Sequence, residues 1–180
     1  AQAHGKAKSI GVSNFSIDQL KLILEHGKVP PAVNQIRFHP YDYHGQAELL
    51  EFADKHGIRI ESYSGPITKA PGGSLDGIVE GITKRLGLNV TLAQVLMSWI
   101  RAKGVVIITH VASSCNRIQQ VADNIQGLHR VKNEFRNTWP HSNCEDVAAI
   151  DETGRHPPSN YNPQPDIYLH KKFLLGLMRR

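Results

Sequence analysis

The chain has 180 residues, 40% of them hydrophobic and 21% charged, enough for a compact domain with its own core. A net charge of +5 raises nucleic acid as a partner. The basic residues are scattered, however, except at Lys171-Lys172 and Arg179-Arg180, and aromatics do not alternate with them. A solvated basic surface is therefore expected, one that would suit an anionic cofactor but not nucleic acid. No apolar run reaches the roughly 18 residues of a membrane helix, so no transmembrane segment is expected.

The elements follow in chain order. Ser9 to Val12 reads as a short strand closed by Ser13-Asn14-Phe15. Ser16 is a good N-cap, Leu20, Ile23 and Leu24 have helical spacing, and Gly27 stops the helix. Ala32 to Ile36 is a second strand, Gln46 to His56 a second helix with Leu49, Leu50 and Ala53 inward, and Ile58 to Tyr63 a third strand. A Pro/Gly-rich loop, GPITKAPGGS, separates it from a short extra helix over Leu75 to Leu86. Thr91 caps a longer helix, Leu92 to Ala102. Val105 to Thr109, apolar throughout, reads as a strand buried on both faces, and Ser114 caps a helix to about Ile125.

Beyond about Gln126 the periodicity degrades. Cys144 to Glu152 reads as one short helix, GRHPPSNYNPQPD as disordered, and KKFLLGLMRR as a basic amphipathic tail. The expected organisation is a domain over residues 1–127 followed by a degenerate, partly disordered segment over 128–180. The N-terminus lacks the apolar core of a signal peptide and an initiator Met, and the chain reads as a piece of a longer one. Cys115 and Cys144 match no metal or redox spacing, and neither do His44, His56 and His110, so no metal site is expected. Unspaced thiols fit a reducing, cytoplasmic compartment. The sequons at Asn14 and Asn89 read as chance matches.

Four β-then-α units in a row imply parallel strands with helical crossovers, either as an open doubly wound sheet or as part of a barrel. No G-x-G-x-x-G follows the first strand, which disfavours the open dinucleotide-binding sheet. The fold class expected is α/β, four units making half of a (β/α)8 barrel and leaving it incomplete.

A set of motifs carries a family resemblance. Ile10-Gly11-Val12-Ser13-Asn14-Phe15 is followed by Asn34-Gln35-Ile36 with His39-Pro40-Tyr41, then Tyr63-Ser64, Ala93-Gln94-Val95-Leu96 with Trp99, and Val105 to Thr109 with Arg117-Ile118. In that order and near that spacing they resemble the C-terminal half of the aldo-keto reductases, and PITKAPGGSLD looks closest to fungal members. The resemblance covers Lys8 to about Gln126.

It implies a triose-phosphate-isomerase-type barrel with the site at the C-terminal ends of the strands. Ser13, Asn14 and Gln35 map onto residues that hydrogen-bond the nicotinamide carboxamide, Tyr63 onto the aromatic that stacks on the ring, and Ser64 onto a pyrophosphate contact. Asn and Gln amides suit a ligand amide, because each offers both donors and an acceptor. The cofactor implied is NADP(H), with NAD(H) also accepted.

The chain departs from the family pattern in two places. Gly65 precedes Pro66 where the family runs directly on, and Val111 and Ala112 stand where a Lys-Ser pair would hold the 2′-phosphate. Ser114 at a helix start and Arg117 are the remaining candidates for that end of the cofactor. His39 matches a family histidine that is not catalytic and is expected to be structural.

The family's catalytic Tyr, Lys, Asp and His have no match within residues 1–180, so no catalytic residue is assigned. Two readings follow. In one, the chain is part of an NAD(P)H-dependent carbonyl reductase whose parent acts on a small-molecule carbonyl, and the chain alone is inactive. In the other, it is a non-catalytic half-barrel that binds a partner or self-associates through open strand edges.

Overall fold

The computed structural model describes residues 2–63, 73–87, 90–108 and 143–161. A 3₁₀ turn at Gln2–His4 precedes β1 (Val12–Ser13), α1 (Ile17–His26), β2 (Val33–Arg37), α2 (Pro40–Lys55), β3 (Arg59–Tyr63), α3 (Ser74–Leu86), α4 (Leu92–Ala102), β4 (Val106–Ile107) and α5 (Asn143–Gly154). The strands form one parallel sheet in the order β1-β2-β3-β4. That is the expected alternation, with each strand beside its sequence neighbour. The expected helix from Ser114 and the boundary at residue 127 lie outside the described residues.

Local chemistry sets the helix starts. Ser16 and Gln19 form a reciprocal capping box at α1, and Thr91 and Gln94 form another at α4. The second helix begins at Pro40, six residues before the expected start at Gln46. The His39 ring accepts from the Tyr41 N–H, and Pro40 occupies the first turn, where its missing N–H costs nothing. The segment PYDYHG has no apolar period, so the pattern begins later than the helix does.

Alternation along the strands separates two faces. Asn34, Ile36, Ile60 and Ser62 are buried toward the helices, where Leu20, Phe38, Ala53, Val95, Leu96, Trp99 and Ile100 complete the core. Ser13, Gln35, Glu61 and Val106 stand in register across the sheet and share the other face. Val106 is 45% exposed. The fourth strand is therefore covered on one side only, not on both as its apolar sequence suggests. It is also shorter than expected, as is β1, which begins at Val12.

Residues 143–161 are integral to this core. Asp151 on α5 accepts from the Trp99 indole N–H at 2.8 Å and pairs with Lys103, whose ammonium lies 4.2 Å from the Tyr43 ring centre. Trp99 in turn stacks on Phe38 at 5.2 Å. Gly154 to Tyr161, expected to be disordered from its Pro and Asn content, is placed, and Tyr161 is buried against His39 and Tyr41. Composition misleads here because the partners of Tyr161, the Asp42 carboxylate and the His39 and Tyr41 rings, lie far away in sequence and no local property of the stretch encodes them.

Gly154 ends α5 against the start of α2. A Cβ there would meet the Pro40 carbonyl oxygen at 2.3 Å and its carbon at 2.9 Å. Ordinarily Gly→Ala in a helix stabilises. Gly154→Ala is expected instead to destabilise by about 1–3 kcal/mol through overpacking, lowering Tm by several degrees in thermal unfolding. An unchanged or raised Tm would refute this seating of α5.

Candidate functional site

The C-terminal ends of β1, β2 and β3 carry the residues singled out above. Asn14 follows β1 with φ of 58°, the only non-glycine among the described residues in the left-handed region. Asn adopts that conformation more readily than most side chains. Three contacts hold the turn. The Gln35 carbonyl accepts from the Asn14 N–H at 2.8 Å and from the Ser13 hydroxyl at 2.9 Å. The buried Asn34 amide clasps Phe15, accepting from its N–H at 3.1 Å and donating to its carbonyl at 2.9 Å.

Tyr63 reaches across β2, its hydroxyl donating to Asn14 Oδ1 at 3.0 Å, while Asn14 Nδ2 donates to Ser13 Oγ at 3.2 Å. Gln35 lies opposite Ser13 in register, and its Nε2 donates to Glu61 Oε2 at 3.1 Å. Ser13, Asn14, Gln35 and Tyr63 thus converge on the face away from the helices. Two capacities remain there: the second N–H of Asn14 Nδ2 and the Gln35 Oε1 acceptor, neither with a partner among the described residues. One donor beside one acceptor fits a primary carboxamide. Ser64, Ser114 and Arg117 lie outside the described residues, as do Val111 and Ala112.

Two residues of this cluster have no role assigned from the sequence: Glu61, and Asn34, which enters there only as part of a motif. Glu61 alternates onto the same face as Tyr63 and was legible from the strand period. Asn34 is a polar residue at a position where alternation demands burial, which is itself a signal of a specific partner.

A second polar cluster adjoins the site at the end of β2. Arg37 Nε lies 3.0 Å from Asp42 Oδ2, and the Tyr161 hydroxyl accepts from the Arg37 guanidinium while donating to Asp42 Oδ1 at 2.7 Å. Both members of the ion pair are nearly enclosed, and the phenol supplies the extra hydrogen bonds such a pair needs. Sequence could not reveal it, since Tyr161 is 124 positions from Arg37.

Residues 1–68 match the model of the Aldo/keto reductase family. The NAD/NADP-dependent indole-3-acetaldehyde reductase of Schizosaccharomyces pombe is 39% identical over 107 residues, 58% of this chain and 37% of that protein. This chain is a relative of the aldo-keto reductases. The D/L-glyceraldehyde reductase of Hypocrea jecorina is 30% identical over 176 residues, 91% of this chain and 48% of that protein. Among solved structures, a Gox0644 mutant in complex with NADPH superposes with a TM-score of 0.67 at 30% identity, covering 92% of this chain and 52% of that one. The chain thus spans about a third to a half of the length of the curated relatives it matches, and its parallel α/β sheet superposes on about half of the solved aldo-keto reductase structures, which is compatible with half of a (β/α)8 barrel.

Two predictions follow from the geometry. Asn34→Leu preserves volume but leaves the Phe15 N–H and carbonyl without their partner, and is expected to lower stability by about 2–4 kcal/mol in urea unfolding. The second concerns alkali. Burial, then the Asp42 carboxylate beside it, raises the Tyr161 pKa well above the usual phenol value. A phenol unfolds to its ordinary pKa of about 10, so below that pH its contribution to stability is whole. As pH rises beyond it, the unfolded state loses its proton first and stability falls. Tyr161→Phe is expected to be less stable at neutral pH, with a shallower decline above about pH 10, as read by denaturant midpoints across pH.

Proposed function

We propose that this chain forms the nicotinamide-binding half of an NAD(P)H-dependent aldo-keto reductase, with Ser13, Asn14 and Gln35 holding the carboxamide and Tyr63 flanking the ring. The paired donor and acceptor left by Asn14 and Gln35 at the strand ends carries this reading. The dependence on NAD or NADP that the Schizosaccharomyces pombe reductase is named for, and the NADPH held by the Gox0644 mutant, support it. When bound, such a cofactor supplies hydride to a carbonyl carbon. The chain's own residues orient the amide and thereby fix which ring face is presented, with the Tyr63 ring contributing about 1 kcal/mol of stacking.

The parent protein is accordingly read as a reductase of small carbonyl compounds, and the two unspaced thiols of this chain, Cys115 and Cys144, fit a cytoplasmic setting. By itself the 180-residue polypeptide is inactive, because reduction needs a proton delivered to the nascent alkoxide and nothing within it matches the family's proton-donating set. Ser64, Ser114 and Arg117 complete the cofactor contacts in this reading. With Val111 and Ala112 in place of the Lys-Ser pair, NADPH and NADH are distinguished little.

The test separates backbone from amide. Asn14→Gly keeps the left-handed turn and removes only the side chain. Titrated with NADPH and NADH by fluorescence and calorimetry, the polypeptide is expected to bind both weakly, with Asn14→Gly and Gln35→Ala each weakening binding about tenfold through one lost hydrogen bond. No turnover is expected across an aldehyde panel. Robust turnover would refute the inactivity, and binding indifferent to both substitutions would refute the site.

A further inference from the structure

We infer that Glu61 is a positioning residue that sets the hydrogen-bonding polarity of the candidate site, holding the Gln35 amide so that its oxygen, not its nitrogen, faces the ligand. This rests on the nicotinamide reading above.

The two ends of a Gln side-chain amide are nearly the same size and shape, so packing alone selects poorly between a site that donates and one that accepts. An ionised carboxylate does select, because it accepts only. Glu61 stands opposite Gln35 in the β2–β3 register, on the same face, and takes the Gln35 Nε2 donor at 3.1 Å. Flipping the amide would set Oε1 against a carboxylate oxygen, two acceptors at contact distance. Gln35 Oε1 is therefore turned outward as an acceptor.

Asn14 is fixed in the complementary sense. The Ser13 hydroxyl gives its hydrogen to the Gln35 carbonyl and so can only accept from Asn14 Nδ2, while the Tyr63 hydroxyl donates to Oδ1, which leaves the second Nδ2 hydrogen as a donor. The site thus reads a ligand group carrying an acceptor on the Asn14 side and an N–H on the Gln35 side. A carboxamide satisfies both, whereas a ketone of the same shape satisfies only the first. The consequence is discrimination between an amide-bearing nicotinamide and its acetyl analogue, set by a side chain that itself touches neither.

Glu61→Gln is close to isosteric and replaces the one-way acceptor with an amide that can face Gln35 by either end. The measurement uses the full 180-residue chain and two reduced dinucleotides, NADPH and its 3-acetylpyridine analogue, whose rings are uncharged, so that a purely coulombic effect of the lost charge is small. Affinities come from side-chain amide chemical shifts in NMR titrations. The original chain is expected to prefer NADPH about tenfold, the worth of one hydrogen-bond partner left unmade. In Glu61→Gln the preference is expected to shrink to about threefold or less, because Gln35 can then turn its N–H toward the acetyl oxygen. In the ligand-free chain, the Gln35 side-chain N–H bonded to the carboxylate should exchange slowly with solvent and lose that protection in Glu61→Ala.

An undiminished preference in Glu61→Gln, or an unprotected Gln35 amide in the original chain, overturns the positioning role and leaves the nicotinamide site standing. Failure of the original chain to bind either dinucleotide overturns both.

Discussion

The turn after β1 has to hold Asn14 in left-handed backbone while aiming its amide across the sheet, and the buried Asn34 side chain is what makes that turn single-valued. Its two hydrogen bonds to Phe15 fix the residue after the turn, and the Gln35 carbonyl fixes the two residues at and before it. Adjacent residues of one strand thus do opposite jobs: Asn34 faces the core and clamps the loop, and Gln35 faces away and bonds Glu61 across the sheet. Period-two geometry makes this division possible, since a one-residue slip of β2 would exchange the two amides and abolish both roles.

Much of the fold was legible because its signals are periodic or local. The four parallel strands, the N-caps at Ser16 and Thr91 and the stop at Gly27 follow from spacing and short-range chemistry. The convergence of Ser13, Asn14, Gln35 and Tyr63 was legible through the family resemblance and through their shared place at strand ends. What escaped was non-local or non-periodic. The first turn of α2 is set by a histidine cap and a proline, without an apolar pattern. Tyr161 sits in a stretch whose composition reads as disordered, and its partners Arg37 and Asp42 are remote in sequence. The exposure of Val106 depends on what stands opposite the sheet, which no property of VVIIT encodes.

The second cluster has a different physical character from the site beside it. The candidate site keeps capacities open, whereas Arg37, Asp42 and Tyr161 close theirs on one another in a nearly enclosed setting. The same strand end therefore carries both the outward Gln35 amide and a fastening for residues 155–161. Asp151 repeats the fastening from α5, taking the Trp99 indole and the Lys103 ammonium at once. These contacts tie the last described helix to α4 and the last described residue to β2, so the sheet's helical cover is completed by residues far along the chain.

The outer strands of the sheet are only two residues long, against five for each inner strand. Backbone pairing continues past those short ladders, the Ile10 carbonyl accepting from the Ala32 N–H and the Ile108 N–H donating to the Ser62 carbonyl. Among the described residues each outer strand therefore keeps an extended border of several residues with pairing capacity on its far side. A strand laid along either border would meet main-chain groups already aligned, so shape and side chains, not backbone supply, decide what can sit there.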